Sequence, residues 1–248
     1  IIIQTDTMNI KSGNRIIFPA FIMLFAFLLI SCGEEKNDSG LPNENSTHKK
    51  TLTLEDRKIF GIESGIIEYT ITGSQEGTRK LYFDHWGRRQ AEYSNTTINI
   101  GQYTKQTNLL KITDVDDQYI IDLNSRTGTK RENPTIEKLV KLQGQISHGD
   151  FGEQLVLIDG GYEAGKEEID GRDCTIYQFR NRHSKSWIWN WLMLKSEIHY
   201  GNMNITIVAD KIEENVSVPD SVFKFPPNVL ITEVNTESFR NPSKEPEN

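Results

Sequence analysis

Among residues able to carry chemistry, Cys32 has the most telling setting, in Leu29-Ile30-Ser31-Cys32-Gly33 at the end of an apolar run. Lys11 and Arg15 form a basic start, and Ile16 to Ile30 follow, apolar apart from Pro19. A spanning helix needs roughly 20 such residues, whereas the core of a secretory signal needs about 7–15. The residues before Cys32 resemble a lipobox, where signal peptidase II cuts and the cysteine is diacylated and then N-acylated. Cys32 is therefore the predicted lipidation site. An ordinary signal peptide followed by a chance cysteine is the alternative.

The other reactive types form no familiar constellation. His48, His85, His148, His183 and His199 make no close pair at metal spacing and no H-E-x-x-H. Asp114-Val115-Asp116-Asp117 suggests calcium, yet lacks the glycine and downstream glutamate of an EF-hand loop and reads as a solvated acidic turn. No G-x-S-x-G elbow, P-loop or dinucleotide fingerprint occurs. The expectation is a protein with no catalytic residues, no metal and no cofactor. Cys174 lies between strand-like residues and reads as a small buried apolar group, a reactive thiol being the other option.

These readings set the organisation of the chain. Initiation is expected at Met8, and residues 1–31 are read as a cleaved leader. Removing them takes Lys11, Arg15 and Asp6 from 28 basic and 35 acidic residues, so 26 and 34 remain and the net charge is −8. An acidic domain argues against nucleic acid as a partner. It also leaves membrane attachment to the acyl chains on Cys32, two or more of which hold firmly at about 0.8 kcal/mol per buried methylene. Residues 32–50 are polar and Pro-containing, a tether whose last eighteen residues reach at most about 60 Å. Residues 51–233 make one domain, and 234–248 a polar, disordered tail.

Strand signals dominate that domain. Ile66 to Ile71, Lys80 to Phe83 and Tyr119 to Leu123 are short, β-branched or aromatic runs, and Met203 to Ile207 alternates with period 2. Asp170-Gly171 suits a two-residue type I′ turn, Asp84 to Gly87 a longer one, and Gly201-Asn202 a third. Such spacing predicts a meandering antiparallel sheet. Asn133 and Pro134 open one expected helix, with Ile136, Leu139 and Val140 as its stripe. Asp150 and Glu153 open another, with Phe151, Leu155 and Ile158 inward and Gly160 as its stop; a strand over Leu155 to Ile158 competes. Apolar residues occupy both faces of the strands around Cys174 to Phe179 and Trp187 to Trp189, so each face needs a cover.

Four phrases, GTRKLYFDHWGRRQAEY (77–93), GYEAGKEEIDGRDCTIYQF (161–179), WIWNWLMLKSEI (187–198) and PDSVFKFPPNV (219–229), resemble segments of outer-membrane lipoproteins of the LolA/LolB superfamily. The resemblance covers most of 63–231. It implies a mainly β (α+β) fold: a curved antiparallel sheet forming a half-barrel, with two or three short helices across its open side. It also implies a hydrophobic cavity able to take acyl chains. The family has Gly or Lys in the turn after its paired tryptophans, where this chain has Asn190-Trp191, so the turn geometry is left open.

Strand parity nominates Tyr69, Leu81, Phe83, Tyr177, Phe179, Trp187, Trp189, Ile205 and Ile207 as cavity lining. For Trp187 and Trp189 core packing is the first reading, ahead of cavity lining and, last, a sugar-stacking platform. The resulting expectation is a non-enzymatic outer-membrane lipoprotein that binds an acyl chain, a lipoprotein or another apolar ligand. A scaffold lipoprotein with a self-filled barrel and a surface glycan-binding lipoprotein are the alternatives. Gly33 lacks the aspartate that signals inner-membrane retention, and Glu34 to Asp38 resembles acidic surface-export stretches, so the domain faces either the periplasm or the exterior. Asp220-Ser221-Val222 resembles an O-glycosylation triplet or, equally, a short helical turn capped by Asp220.

Overall fold

The computed structural model describes residues 58–114, 116–134, 151–179 and 183–234. The leader, Cys32, the tether, most of the helix expected after Asn133, and the tail beyond Val234 lie outside the described residues.

The alternating runs pair into one twelve-stranded sheet. A first meander holds β1 (Gly65–Gly73), β2 (Gln75–Asp84), β3 (Arg89–Ile100), β4 (Tyr103–Asp114), β5 (Asp117–Asp122) and β6 (Thr127–Glu132). A second holds β7 (Gly161–Ile169), β8 (Arg172–Phe179), β9 (Ser184–Trp189), β10 (Leu192–Tyr200) and β11 (Met203–Glu214). β1 pairs with β11, joining the meanders, and β12 (Leu230–Glu233) adds to β6. The order is β12-β6-β5-β4-β3-β2-β1-β11-β10-β9-β8-β7, antiparallel except for β12 on β6, and its two ends do not pair. It is an open sheet.

The expected turns form. Asp170 (φ 50°) and Gly171 (φ 72°) both take positive φ, as a type I′ hairpin requires. At Gly201-Asn202 only the glycine does so, the II′ pattern. Asn190 (φ 47°) and Trp191 (φ 63°) make a further two-residue turn of the I′ kind. A tryptophan in the left-handed region costs about 1–3 kcal/mol and persists only where its surroundings hold it. His85 and Trp86 are also left-handed ahead of Gly87, so the β2–β3 turn is more contorted than Gly87 alone predicts.

Curvature follows from a strap at the chain's entry. Ile59 and Phe60 donate their N–H groups to the Trp86 carbonyl at 2.9 and 3.0 Å, and Gly61 donates to the Asn190 carbonyl at 2.9 Å. With one residue step of at most about 3.8 Å between them, those carbonyls lie within about 10 Å. The two turns are four strand intervals apart in the sheet, about 19 Å if it were flat. The sheet therefore curls until the hairpin ends meet under the strap. Phe60 packs edge-on against Phe83, with centroids 5.0 Å apart, which marks the face carrying Phe83 as the inner one.

One helix, α1 (Phe151–Ile158), is described, and it settles the helix-or-strand choice for Leu155 to Ile158. Asp159 and Gly160 donate back to the Leu155 and Leu157 carbonyls, and Gly160 takes φ 75°, the expected stop. Its packed face differs from the expected stripe. Gly152 is buried against the Trp191 indole and Val156 and Phe179 both flank Gly161, whereas Ile158 is exposed. Trp191 also lies 6.2 Å from the Tyr177 ring, so it turns inward beneath α1.

The outer face is covered by the C-terminal segment. Ala91, Leu110, Ile112 and Ile121 form a buried cluster against Val222, Phe223, Val229 and Ile231. Arg89 fixes this segment: it chelates Asp84, reaches Asp220 at 2.9 Å, and stacks on Phe223 at 4.2 Å. Asp220 thus binds Arg89 and does not cap, since Pro219 stands at the cap of that 3₁₀ turn.

Because Gly152 leaves no room for a side chain against Trp191, Gly152→Val is expected to undock α1. The predicted loss is about 1–3 kcal/mol of stability, from overpacking. Thermal melts would show it, together with a red-shifted tryptophan emission; an unchanged melt would refute the contact's importance.

Candidate functional site

Cross-strand pairing decides which candidate residues meet. Phe83 pairs with Gly65, Leu81 with Ile67, Tyr69 with Ala209, and Ile71 with Ile207. The chain of pairs runs on through Ser196 and Ser186 to Tyr177, and through Ile198 and Ser184 to Phe179. Tyr69, Leu81, Phe83, Tyr177, Phe179, Ile205 and Ile207 therefore share the inner face. Trp187 pairs with Ile176 and Lys195, and Trp189 with Leu192, on either side of the bulge between Met193 and Lys195, and Trp187 is buried in one apolar cluster with Tyr69, Leu81, Phe83, Ile205 and Ile207, against which Trp189 packs. Seven of the nine candidates thus meet at one buried cluster, and Tyr177 and Phe179 are not among its members.

Trp187 is a core residue. It is 2% exposed, its indole N–H donates to Glu167 at 2.7 Å, and the ammonium groups of Lys185 and Lys195 stand 4.5 and 4.1 Å from its ring. Trp189 carries Arg172 at 5.1 Å. The indoles' faces are thus occupied by the chain's own cations, the opposite of an open sugar platform. Cys174 is free and fully buried, with its thiol directed to the Arg172 carbonyl at 3.5 Å. Burial pushes its pKa up, away from a reactive thiolate.

The nine candidates fall into two groups. Tyr177 and Phe179 lie beneath α1 and Trp191. Tyr69, Leu81, Phe83, Trp187, Ile205 and Ile207 join Ile67, Ile71, Cys174, Ile176, Leu192 and Leu194 in a continuous apolar cluster, each at most 8% exposed. The phenol of Tyr69 reaches across this face to donate to the Met193 carbonyl at 3.0 Å, and burial pushes its pKa up to about 12.

Next to that patch the inner face turns polar. Arg79 pairs with Tyr69 in register, and its guanidinium stacks 4.3 Å above the Tyr69 ring. Glu92 pairs with Leu81 and with Lys111. Arg79 and Lys111 approach the same Glu92 oxygen at 3.7 and 3.5 Å, too far for strong hydrogen bonds. Burial raises the Glu92 pKa, but Lys111 and Arg79 outweigh it and hold the carboxyl below its ordinary value. Gln75 donates to the Thr96 hydroxyl at 2.8 Å, which meets Thr107 at 2.9 Å. The Nε of Arg79 and the Oε1 of Gln75 are buried without hydrogen-bond partners.

This polar group was missed because no motif marks it. The available signal was parity: Arg79 stands two residues before Leu81 and four before Phe83, a cation on the stripe of an apolar strand. The acidic run at Asp114 resolves as a hairpin, with Asp114 opposite Asp117 and Asp117 held by Lys130 at 3.0 Å. His85 bonds Asp84, and His199 bonds Asn204. His48 and His148 lie outside the described residues.

No protein-family model and no curated protein matches this sequence. Among solved structures, it is similar to an uncharacterized conserved protein from Thermus thermophilus, with TM-score 0.46 and 7% identity over 73% of this chain and 97% of that one. It is also similar to MucB, with TM-score 0.37 and 11% identity over 71% and 62%. LprF from Mycobacterium bovis gives TM-score 0.32 and 13% identity over 67% and 94%.

Two outcomes follow from the site. Glu92 has a lowered folded pKa, so its contribution is present above the unfolded value of about 4.3 and is lost as pH falls through the folded one. Glu92→Gln is expected to cost about 2 kcal/mol at pH 7 by stranding two cations, and to flatten the acid limb of the melting profile; an unaltered limb would reject the linkage. Cys174 is expected to resist maleimide in the native chain and to react in urea, and labelling in native buffer would contradict its burial.

Proposed function

We propose that this chain is a non-enzymatic lipoprotein, anchored in the outer membrane by acylated Cys32, whose curved sheet binds an acyl chain or another apolar ligand on its inner face. The supporting observation is the buried apolar cluster that β1, β2 and β11 share with β8 to β10, against which Phe60 of the strap packs. Segments outside the sheet can move without breaking strand pairing, and the ligand would bury about 25 cal/mol per Å² of apolar surface. α1 and the helix expected after Asn133 would together lie over the open side. The domain would face the periplasm or the cell exterior at the end of its tether.

A second reading is favoured by one fact: the inner residues are already at most 8% exposed. On that reading the chain fills its own barrel and serves as a scaffold in an envelope complex. Native mass spectrometry of gently purified chain separates the two, with copurifying lipid expected for the carrier. Absence of lipid together with no uptake of a fluorescent fatty acid would leave the self-filled scaffold. Separately, palmitate labelling is expected in the wild type and not in Cys32→Ala; an unlabelled wild type removes the anchor.

A further inference from the structure

The polar half of the inner face has a charge imbalance that the sheet itself does not resolve. Register places Arg79, Lys105, Lys111 and Arg131 on this face across β2 to β6, against Glu92 and Asp122. Asp122 is committed to the backbone N–H groups of Asn124 and Ser125. Arg131 is half-buried and bonded to the amide oxygen of Gln118, a neutral partner. Among the described residues Glu92 is thus the one uncommitted carboxylate facing Arg79 and Lys111, and it is shared between them at 3.7 and 3.5 Å. Arg79 is only 8% exposed, and its Nε has no partner. A buried guanidinium left short of acceptors is costly, and an oxyanion is the group that matches its fork. This surplus of positive charge is the more notable in a chain whose net charge is −7.

We infer that Arg79 and Lys111, with Glu92 between them, form a binding site for a single oxyanion, a carboxylate or phosphate, that heads the apolar ligand. The inference rests on the apolar-ligand reading and adds its polar end. Geometry supports the pairing of the two halves. Arg79 is the register partner of Tyr69, and Glu92 of Leu81, so the cation pair adjoins the apolar cluster with no strand between them. An amphiphile lying across β1 and β2 would place its tail on Ile67, Ile71 and Ile207 and its head against Arg79 and Lys111. The head would accept from Arg79 Nε and Lys111 Nζ, and Glu92 would limit the affinity for a second negative charge by repulsion.

Calorimetric titration of the full chain with decanoate, decanol and inorganic phosphate tests this. Decanoate is expected to bind at least about tenfold more tightly than decanol, the difference a charged hydrogen bond supplies. Lys111→Met should abolish most of that preference, and Glu92→Gln should widen it. Circular dichroism and melting of each variant keep a folding defect from passing as a binding one. If decanoate and decanol bind equally, the oxyanion site is wrong and the apolar-ligand reading stands. If neither binds, the apolar-ligand reading itself falls. Binding of phosphate with an affinity that the decyl tail does not improve would overturn the assignment to an amphiphile's head and leave a site for a soluble anion.

Discussion

The strap at residues 59–63 sets the shape on which every other feature depends. A twelve-stranded antiparallel sheet twists by its own sterics, but twist alone does not bring two particular hairpin ends together. Three backbone hydrogen bonds, two to Trp86 and one to Asn190, tie those ends across a gap that a flat sheet would hold about twice as wide. The return bond from the Trp86 N–H to the Glu63 carbonyl at 2.8 Å closes the arrangement. Both anchoring turns carry tryptophan in the left-handed region, a conformation that local preference opposes. The strap and the packing of Trp191 against Gly152 stabilise what the isolated turns would not adopt.

Curling the sheet gives its two faces different tasks. The outer face at β3 to β5 is closed by the chain's own C-terminal segment, locked through Arg89, and its tyrosines and isoleucines have an intramolecular cover. The inner face is apolar around β1, β2 and β11 but acquires Glu92, Lys111, Thr96 and Gln118 toward β3 to β5. Buried polar groups inside a concave face are expensive unless each finds a partner. Most do so locally, as in the Gln75, Thr96 and Thr107 relay. The exceptions among the described residues are Gln75 Oε1 and Arg79 Nε, both on β2, and Arg172 Nε on β8.

Much of the local structure was legible in the residues. Asp170-Gly171, Gly201-Asn202 and the Gly160 stop all act as their chemistry requires, and the alternating run at Met203 is the start of a strand. β3 and β4 were not legible. Polar residues stand on both faces of each, Thr96 against Asn95 and Thr97 in β3 and Lys105 and Thr107 against Gln106 and Asn108 in β4, so no apolar alternation announces them, and neighbouring strands recruit them. Register was beyond reach for a different reason. Parity within a strand shows that Trp187 and Trp189 share a face, and that Tyr177 and Phe179 do, but only pairing tells whether those faces coincide. The bulge between Met193 and Lys195 adds a shift that no residue type signals.

The same limit explains why charges and not aromatics distinguish the site. An aromatic pair such as Trp187 and Trp189 attracts attention because its buried area is large, yet its cations and Glu167 satisfy it within the protein. A buried arginine contributes little to apolar burial, and its environment must supply acceptors for up to five donors. Tyr69 gives Arg79 a ring face, and Glu92 gives it a distant oxygen shared with Lys111, so the available neighbours leave its hydrogen-bonding capacity open. In a close-packed β structure that residual capacity is a more specific pointer to an absent partner than any amount of aromatic surface, because packing can satisfy a ring but cannot satisfy an N–H.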